Sequence, residues 1–170
     1  MFLDSYFSNS IVSDRLSEYE VVIVDTSVEP KTTTIDNIMS TLRSKYDKAP
    51  CIVVGIGGGS TLDTAKACSN LFTNPGNASD YQGWDKVQNK GVFKVGVPTI
   101  SGTGSEATRT CVMTNPKNGL KLGMNSDYTV FDHIILDPNL TETVPRDQYL
   151  YTGMDAYIHC MEALEGGYRN

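Results

Sequence analysis

The sequence predicts an α/β fold built on a mainly parallel, Rossmann-like sheet. Three observations carry that reading. Short apolar, β-branched runs alternate with segments of helical periodicity, the pattern of strand–helix–strand units. One of those runs, "CIVVGIG", is apolar on both faces, as interior parallel strands are, and "FKVGVPTI" reads as another strand. Both pass directly into glycine-rich turns, and open α/β sheets bind their ligands outside the carboxyl ends of the strands.

In chain order, "VVIVD" at residues 21–25 is the first strand expected, with a turn at "SVEP" behind it. From Thr34 to Tyr46 the residues Ile35, Ile38, Met39 and Leu42 recur at helical spacing. "CIVVGIG" follows, bounded by Pro50 and a glycine cluster. Ser60 is the expected N-cap of a helix to about Leu71, with Asp63 at the capping-box position and Leu62, Ala65, Cys68 and Phe72 inward. Residues 74–91, rich in Asn, Gly and Pro, read as a loop. "FKVGVPTI" ends at Pro98 and enters "SGTGSE". "TCVMT" and "KLGMN" flank Asn118-Gly119, a hairpin signal. "YTVFDHIILDP" reads as a further strand, and a last helix runs from near Pro145 to just before "EGG".

A chain of 170 residues holds one domain with a sizeable core, or one domain and part of another. Its 39% hydrophobic and 20% charged residues read as soluble and globular. A net charge of −6 without any basic cluster argues against nucleic acid or an anionic membrane as a partner. The apolar runs are too short to span a bilayer, and "MFLDSYFSNS" lacks the basic region and apolar core of a signal peptide. Cys51, Cys68, Cys111 and Cys160 form no CxxC pair. They read as small buried hydrophobes in a reducing compartment, the cytoplasm.

The chemistry concentrates in three segments. In "GIGGGSTLDTAK", residues 55–66, glycines permit close backbone approach, and a helix N-terminus after a strand favours an anion such as a pyrophosphate. The run is neither GxGxxG nor GxxxxGK[ST], and a plain tight turn answers to the same glycines. Asp63 serves equally as a helix cap. "VPTISGTGSEATRT", residues 97–110, repeats the logic with hydroxyls at Thr99, Ser101, Thr103 and Ser105. Two such loops at neighbouring strand ends argue for an extended ligand with phosphate and ribose or ring parts. Lys121 lies just past the hairpin, where a solvated lysine is the ordinary reading.

In "YTGMDAYIHCMEALEG", Asp155 and His159 are four residues apart, one above the other on a helix. That spacing suits a metal ion or a simple surface pair. Met154, Ile158, Met161 and Leu164 share or border the face, which turns the pair toward an interior. A buried carboxylate and imidazole then need a partner or a metal. The only other histidine, His133, lies in a strand and reads as an ordinary strand residue.

Taken together in this order, "GIGGGSTLDTAK", "VPTISGTGSEATRT" and "GMDAYIHCMEAL" resemble the signatures of the iron-activated (group III) alcohol dehydrogenases, relatives of dehydroquinate synthase and glycerol dehydrogenase. The resemblance covers about residues 20–165. Within it, "NPGNASDYQGWD", "LGMNSDYTVFDHIILDP" and "YTGMDAYIHCMEALEGGY" are most similar to the 3-deoxy-D-manno-octulosonate 8-oxidase type, which acts on an eight-carbon sugar acid.

The resemblance implies a dinucleotide-binding α/β domain over residues 1–144 and the start of an all-helical metal-binding domain over residues 145–170. It implies NAD or NADP as cofactor, one divalent metal (Fe2+ or Zn2+), a primary alcohol or sugar-acid substrate, and a homodimer. Gly58, Gly59 and Ser60 would hold the pyrophosphate, with Asp63 beside them. Thr99, Thr103 and Lys121 match cofactor-side positions, and Leu140 matches a residue lining the adenosine or nicotinamide pocket. Ile100 replaces a family threonine, so that one cofactor hydroxyl contact is either lost or supplied by Ser101. Asp155 and His159 match the first two metal ligands.

Two departures accompany the match. The family's other two metal-ligand histidines lie well downstream of Asn170. "VVIVDTSVEP" matches the family's second strand segment, so the first strand, whose terminal Asp holds the adenosine ribose, is expected to be missing. The chain therefore reads as an internal fragment, inactive alone. The rival readings are a dehydroquinate synthase-like lyase and a catalytically inactive nucleotide-binding module.

Overall fold

A strand lies ahead of the first one read from the sequence. In the computed structural model, which describes residues 1–166, Phe2–Asp4 form strand β1. The elements that follow are helix α1 (Ile11–Arg15), strand β2 (Val22–Val24), helix α2 (Thr32–Lys45), strand β3 (Ile52–Gly57) and helix α3 (Gly59–Leu71). Then come β4 (Gly83–Trp84), β5 (Phe93–Pro98), β6 (Thr110–Asn115), β7 (Leu120–Asn125), β8 (His133–Ile134) and helix α4 (Arg146–Glu165). Residues 167–170, the end of the segment read as 145–170, lie outside the described residues.

Strands β2, β1, β3, β5 and β8 form one parallel sheet in that order. The expectation of a missing strand before Val21 is therefore corrected, because β1 sits inside the sheet between β2 and β3. Three residues are too few to show a period. The signal is instead burial on both faces. Phe2 and Leu3, neighbours on a strand, face opposite sides of the sheet. Phe2 joins the larger core with Val24, Ile35, Met39, Val53, Ala65, Cys68 and Leu71, under α2 and α3. Leu3 joins Phe7, Ile56 and Val97 on the other face, against Val12, Leu16 and Leu140.

"CIVVGIG" and "FKVGVPTI" are the interior strands β3 and β5, paired in register from Ile52–Phe93 to Gly57–Pro98. At Gly55 a Cβ would stand 2.8 Å from the Ala65 Cβ, so the glycine lets α3 settle directly on the sheet. The hairpin signal holds as well: β6 and β7 pair antiparallel around Asn118-Gly119, with Gly119 at φ +71°. "YTVFDHIILDP" gives only the short β8, because Asp127–Thr129 curl into a 3-10 turn and Pro138 opens another.

Two further expectations change. Gly58, not Ser60, is the N-cap of α3, and no side chain caps it. Only Cys68 and Cys111 are buried, while Cys51 and Cys160 are exposed; all four are free thiols. Among the described residues no helix is long and apolar enough to cross a membrane.

Because Leu3 is fully buried at the centre of the sheet, Leu3→Ala is expected to lower unfolding free energy by about 2–5 kcal/mol. Urea unfolding followed by far-UV circular dichroism measures it. An unchanged midpoint would remove β1 from the core.

Candidate functional site

Strands β3 and β5 are neighbours, and both end in glycine turns at the same edge of the sheet. Gly58 stays extended (φ −77°, ψ −174°) and α3 begins at Gly59. The first amides of the helix have no acceptor within it and carry the positive end of its dipole. The Thr61 and Leu62 amides both donate back to the Gly58 carbonyl, at 3.1 and 3.0 Å, which tightens the first turn. A Cβ on Gly59 would stand 3.3 Å from Thr103 Oγ1, so the two loops nearly touch there. Gly104, at φ +72°, takes the left-handed conformation that starts the 3-10 turn Ser105–Ala107.

Over these turns lies a cavity of about 800 Å³. Of the cofactor residues expected from sequence, Gly58, Gly59, Ser60, Asp63, Thr99, Thr103, Lys121 and Leu140 line it, and so do Asp155 and His159. Ser101 does not. It is exposed, and Ile100 lines the cavity in its place, so no hydroxyl from Ser101 replaces the family threonine. Its neighbour Gly102 packs directly on Thr152 of α4.

Sequence reasoning missed several residues of this site. Asp4, at the end of β1, lines the cavity and is 8% exposed. Its Oδ1 accepts the Tyr6 amide at 3.0 Å and the Thr26 hydroxyl at 2.9 Å. A carboxylate closing "MFLD" was the available signal once that run is taken as a strand. Glu29 also lines the cavity and accepts Lys121 Nζ at 2.6 Å and Thr114 Oγ1 at 3.2 Å. The lysine holds the Glu29 carboxyl below the usual range. Both side chains are more than half exposed, so the pair contributes little to stability.

Asp63 caps nothing. Its Oδ1 accepts the Ser105 hydroxyl at 2.7 Å and its Oδ2 the Val112 amide at 2.9 Å. Burial pushes its carboxyl up, and these two bonds oppose the shift. Lys66, three residues further along α3, is fully buried. Its Nζ donates to the Thr108 carbonyl (2.9 Å), the Thr108 hydroxyl (3.1 Å), the Thr110 carbonyl (2.9 Å) and the Ser105 carbonyl. It also lies 5.3 Å from the Phe131 ring centroid. Burial lowers its pKa from the ordinary lysine value.

On α4, His159 Nδ1 lies 3.5 Å from Asp155 Oδ2. The pair borders the cavity, but the inward face expected around it is corrected. Met154, Ile158, Met161 and Leu164 are all exposed, and Thr152 alone is buried on this helix. An apolar stripe marks a face that is able to pack, and the described residues place nothing over this one. Among them no three His, Cys, Asp or Glu converge on one point, and exposed His133 lies away from the cavity. The pair's oxygen and nitrogen suit a divalent ion of borderline softness, and two ligands fall short of the usual three.

A parallel sheet whose strand ends open through two glycine turns onto one elongated cavity defines an α/β ligand-cleft domain. Residues 7–138 match the family model of iron-containing alcohol dehydrogenases. The chain belongs to the iron-containing alcohol dehydrogenase family. It is 44% identical over 115 residues to the sulfoacetaldehyde reductase of Bilophila wadsworthia, covering 68% of this chain and 30% of the relative. With long-chain-alcohol dehydrogenase 1 of Geobacillus thermodenitrificans it shares 37% over 154 residues, 88% of this chain and 38% of that one. The solved sulfoacetaldehyde reductase of Bifidobacterium kashiwanohense, in complex with NAD+, superposes with a TM-score of 0.79 at 32% identity, covering 91% of this chain and 42% of that one. The chain thus spans well under half the length of these relatives. The matches favour a dehydrogenase over the lyase reading.

A side chain at position 102 would collide with the Thr152 Cβ and stand 3.0 Å from its carbonyl oxygen, which helix backbone cannot yield. Gly102→Ala is expected to cost about 1–3 kcal/mol and to speed amide exchange along α4. Unchanged exchange there would dismiss the contact.

Proposed function

We propose that this chain supplies the nucleotide-binding half of a metal-dependent, NAD-linked dehydrogenase acting on primary alcohols. The observation that carries the reading is the single cavity joining both glycine turns to the Asp155–His159 pair. In it, Gly58, Gly59 and Ser60 receive the pyrophosphate on the free amides of α3. Thr99, Thr103 and Lys121 contact the cofactor, Ile100 and Leu140 give it an apolar flank, and Asp155 and His159 hold the metal. Helix α4 opens the helical domain, and residues 1–144 form the nucleotide domain.

Asp4 favours NAD over NADP. A carboxylate at the end of β1 accepts ribose hydroxyls and repels a 2′-phosphate, the role the family assigns to the terminal Asp of its first strand. A bound iron(II) or zinc ion supplies Lewis acidity toward the substrate hydroxyl, and nicotinamide supplies the redox chemistry. Asp155 would contribute negative charge and His159 a nitrogen donor to such an ion, and the two glycine loops would hold the cofactor. The Bilophila and Geobacillus relatives are named for a small aldehyde and for long-chain alcohols, which supports a primary alcohol or its aldehyde as substrate. The C8 hydroxyl of an octulosonate falls in the same class. The free cysteines suit a reducing, cytoplasmic setting, and a homodimer follows the family pattern.

With only two metal ligands, the 170-residue chain is expected to bind NADH and to show no alcohol-dependent NADH formation. An NADH fluorescence titration tests the cleft. Gly59→Asp, which puts a carboxylate against Thr103 and the pyrophosphate site, should weaken binding by at least about tenfold. NADPH should bind more weakly than NADH, and Asp4→Gly should narrow the gap. Equal affinity of Gly59→Asp and the parent chain would defeat the cleft reading.

A further inference from the structure

We infer that Lys66 and Asp63 are positioning residues for the cofactor loop, holding segment 105–112 and through it Thr103 and Gly104 in the shape that receives the dinucleotide. This rests on the cavity being a dinucleotide cleft. Lys66 lies outside the cavity lining and is wholly buried, so it cannot touch a ligand there. Asp63 borders the cavity, yet each of its oxygens is already engaged, one by the loop at Ser105 and one by β6 at Val112. What the two side chains do is therefore done to the protein.

The loop between β5 and β6 has little regular structure beyond one 3-10 turn, and its carbonyls need partners. Two of them, from Ser105 and Thr108, converge on one ammonium together with the carbonyl of Thr110, the first residue of β6. A buried ammonium in turn needs acceptors. Loop shape and lysine burial thus require each other. One turn back along α3, Asp63 takes the Ser105 hydroxyl and the Val112 amide, which pins both ends of the same segment. Phe131 closes over the lysine from the β8 side. The remaining charged groups felt by Lys66 are Glu106 in the loop and Lys94 on β5, and those felt by Asp63 are Lys66 and Lys121.

The test combines NADH titration with amide hydrogen exchange on Lys66→Met, Asp63→Ala and Asp63→Asn. Methionine keeps an apolar stem and removes every donor. Asparagine keeps the volume and one acceptor. Lys66→Met and Asp63→Ala should raise the NADH dissociation constant about tenfold or more, with Asp63→Asn recovering most of the loss. Exchange should quicken at residues 103–112 and stay slow in β1 and β3. NADH affinity within about twofold of the parent, with the loop still protected, would overturn the inference. If Lys66→Met does not fold, the pair of Asp63 variants decides by the same two readouts. If the parent chain binds no NADH, the cleft reading fails. The exchange data then judge the clamp separately, with lost protection at 103–112 supporting it and retained protection rejecting it.

Discussion

A primary ammonium buried under a helix has to be met by oxygen atoms, and the cavity face of this molecule is arranged around that need. Lys66 finds its oxygens at Ser105 and Thr108 in the loop after β5 and at Thr110, where β6 begins. Helix α3 consequently serves both glycine turns. Its first turn is the floor of one, and its interior side chains brace the other. Gly55 makes this possible from below, since close seating of α3 on β3 brings Asp63 and Lys66 within reach of residues 105–112. The sheet order β1–β3–β5 then places Asp4, Gly58 and Thr99 along one edge, all of them bordering the cavity.

The charge around that cavity is unusual for a site read as holding phosphates. Asp4, Glu29, Asp63, Asp147 and Asp155 border it, against Lys121 and His159. Lys121 is already paired with Glu29. Attraction for an anion then falls mainly to the amides that open α3, whose partial charge is fixed in direction and is not removed by deprotonation. The surplus of carboxylates runs from Asp4 at the end of β1 to Asp155 on α4. One elongated site can thus present opposite preferences along its length.

Much of this was legible in the sequence, and the limits have physical causes. Strands β3 and β5 and helix α2 follow from apolar runs and spacing, because burial on one or both faces writes itself into the pattern. β1 leaves no pattern in three residues. Ser60 obeys the rule for a helix cap, yet a glycine in extended conformation starts the helix two residues earlier. Asp63 and Lys66 look like ordinary helix polars, since their partners lie 39 to 49 residues away in sequence. The stripe beside Asp155 and His159 correctly marks an apolar face, but periodicity cannot say what covers it. Residues of all three motif segments line one cavity, and of the site residues expected from sequence only Ser101 does not border it.

The contact between Gly102 and Thr152 ties these parts together mechanically. The loop that flanks the nucleotide turn presses on α4 one turn before Asp155, without a side chain to soften the contact. A shift of either element is felt by the other. Any ligands bound at the two ends of the cavity would be linked through this joint, and linkage is reciprocal. By whatever factor an ion at the helix alters affinity in the loops, a ligand in the loops alters affinity for the ion by the same factor. The order in which the two arrive changes the path and leaves the sum untouched.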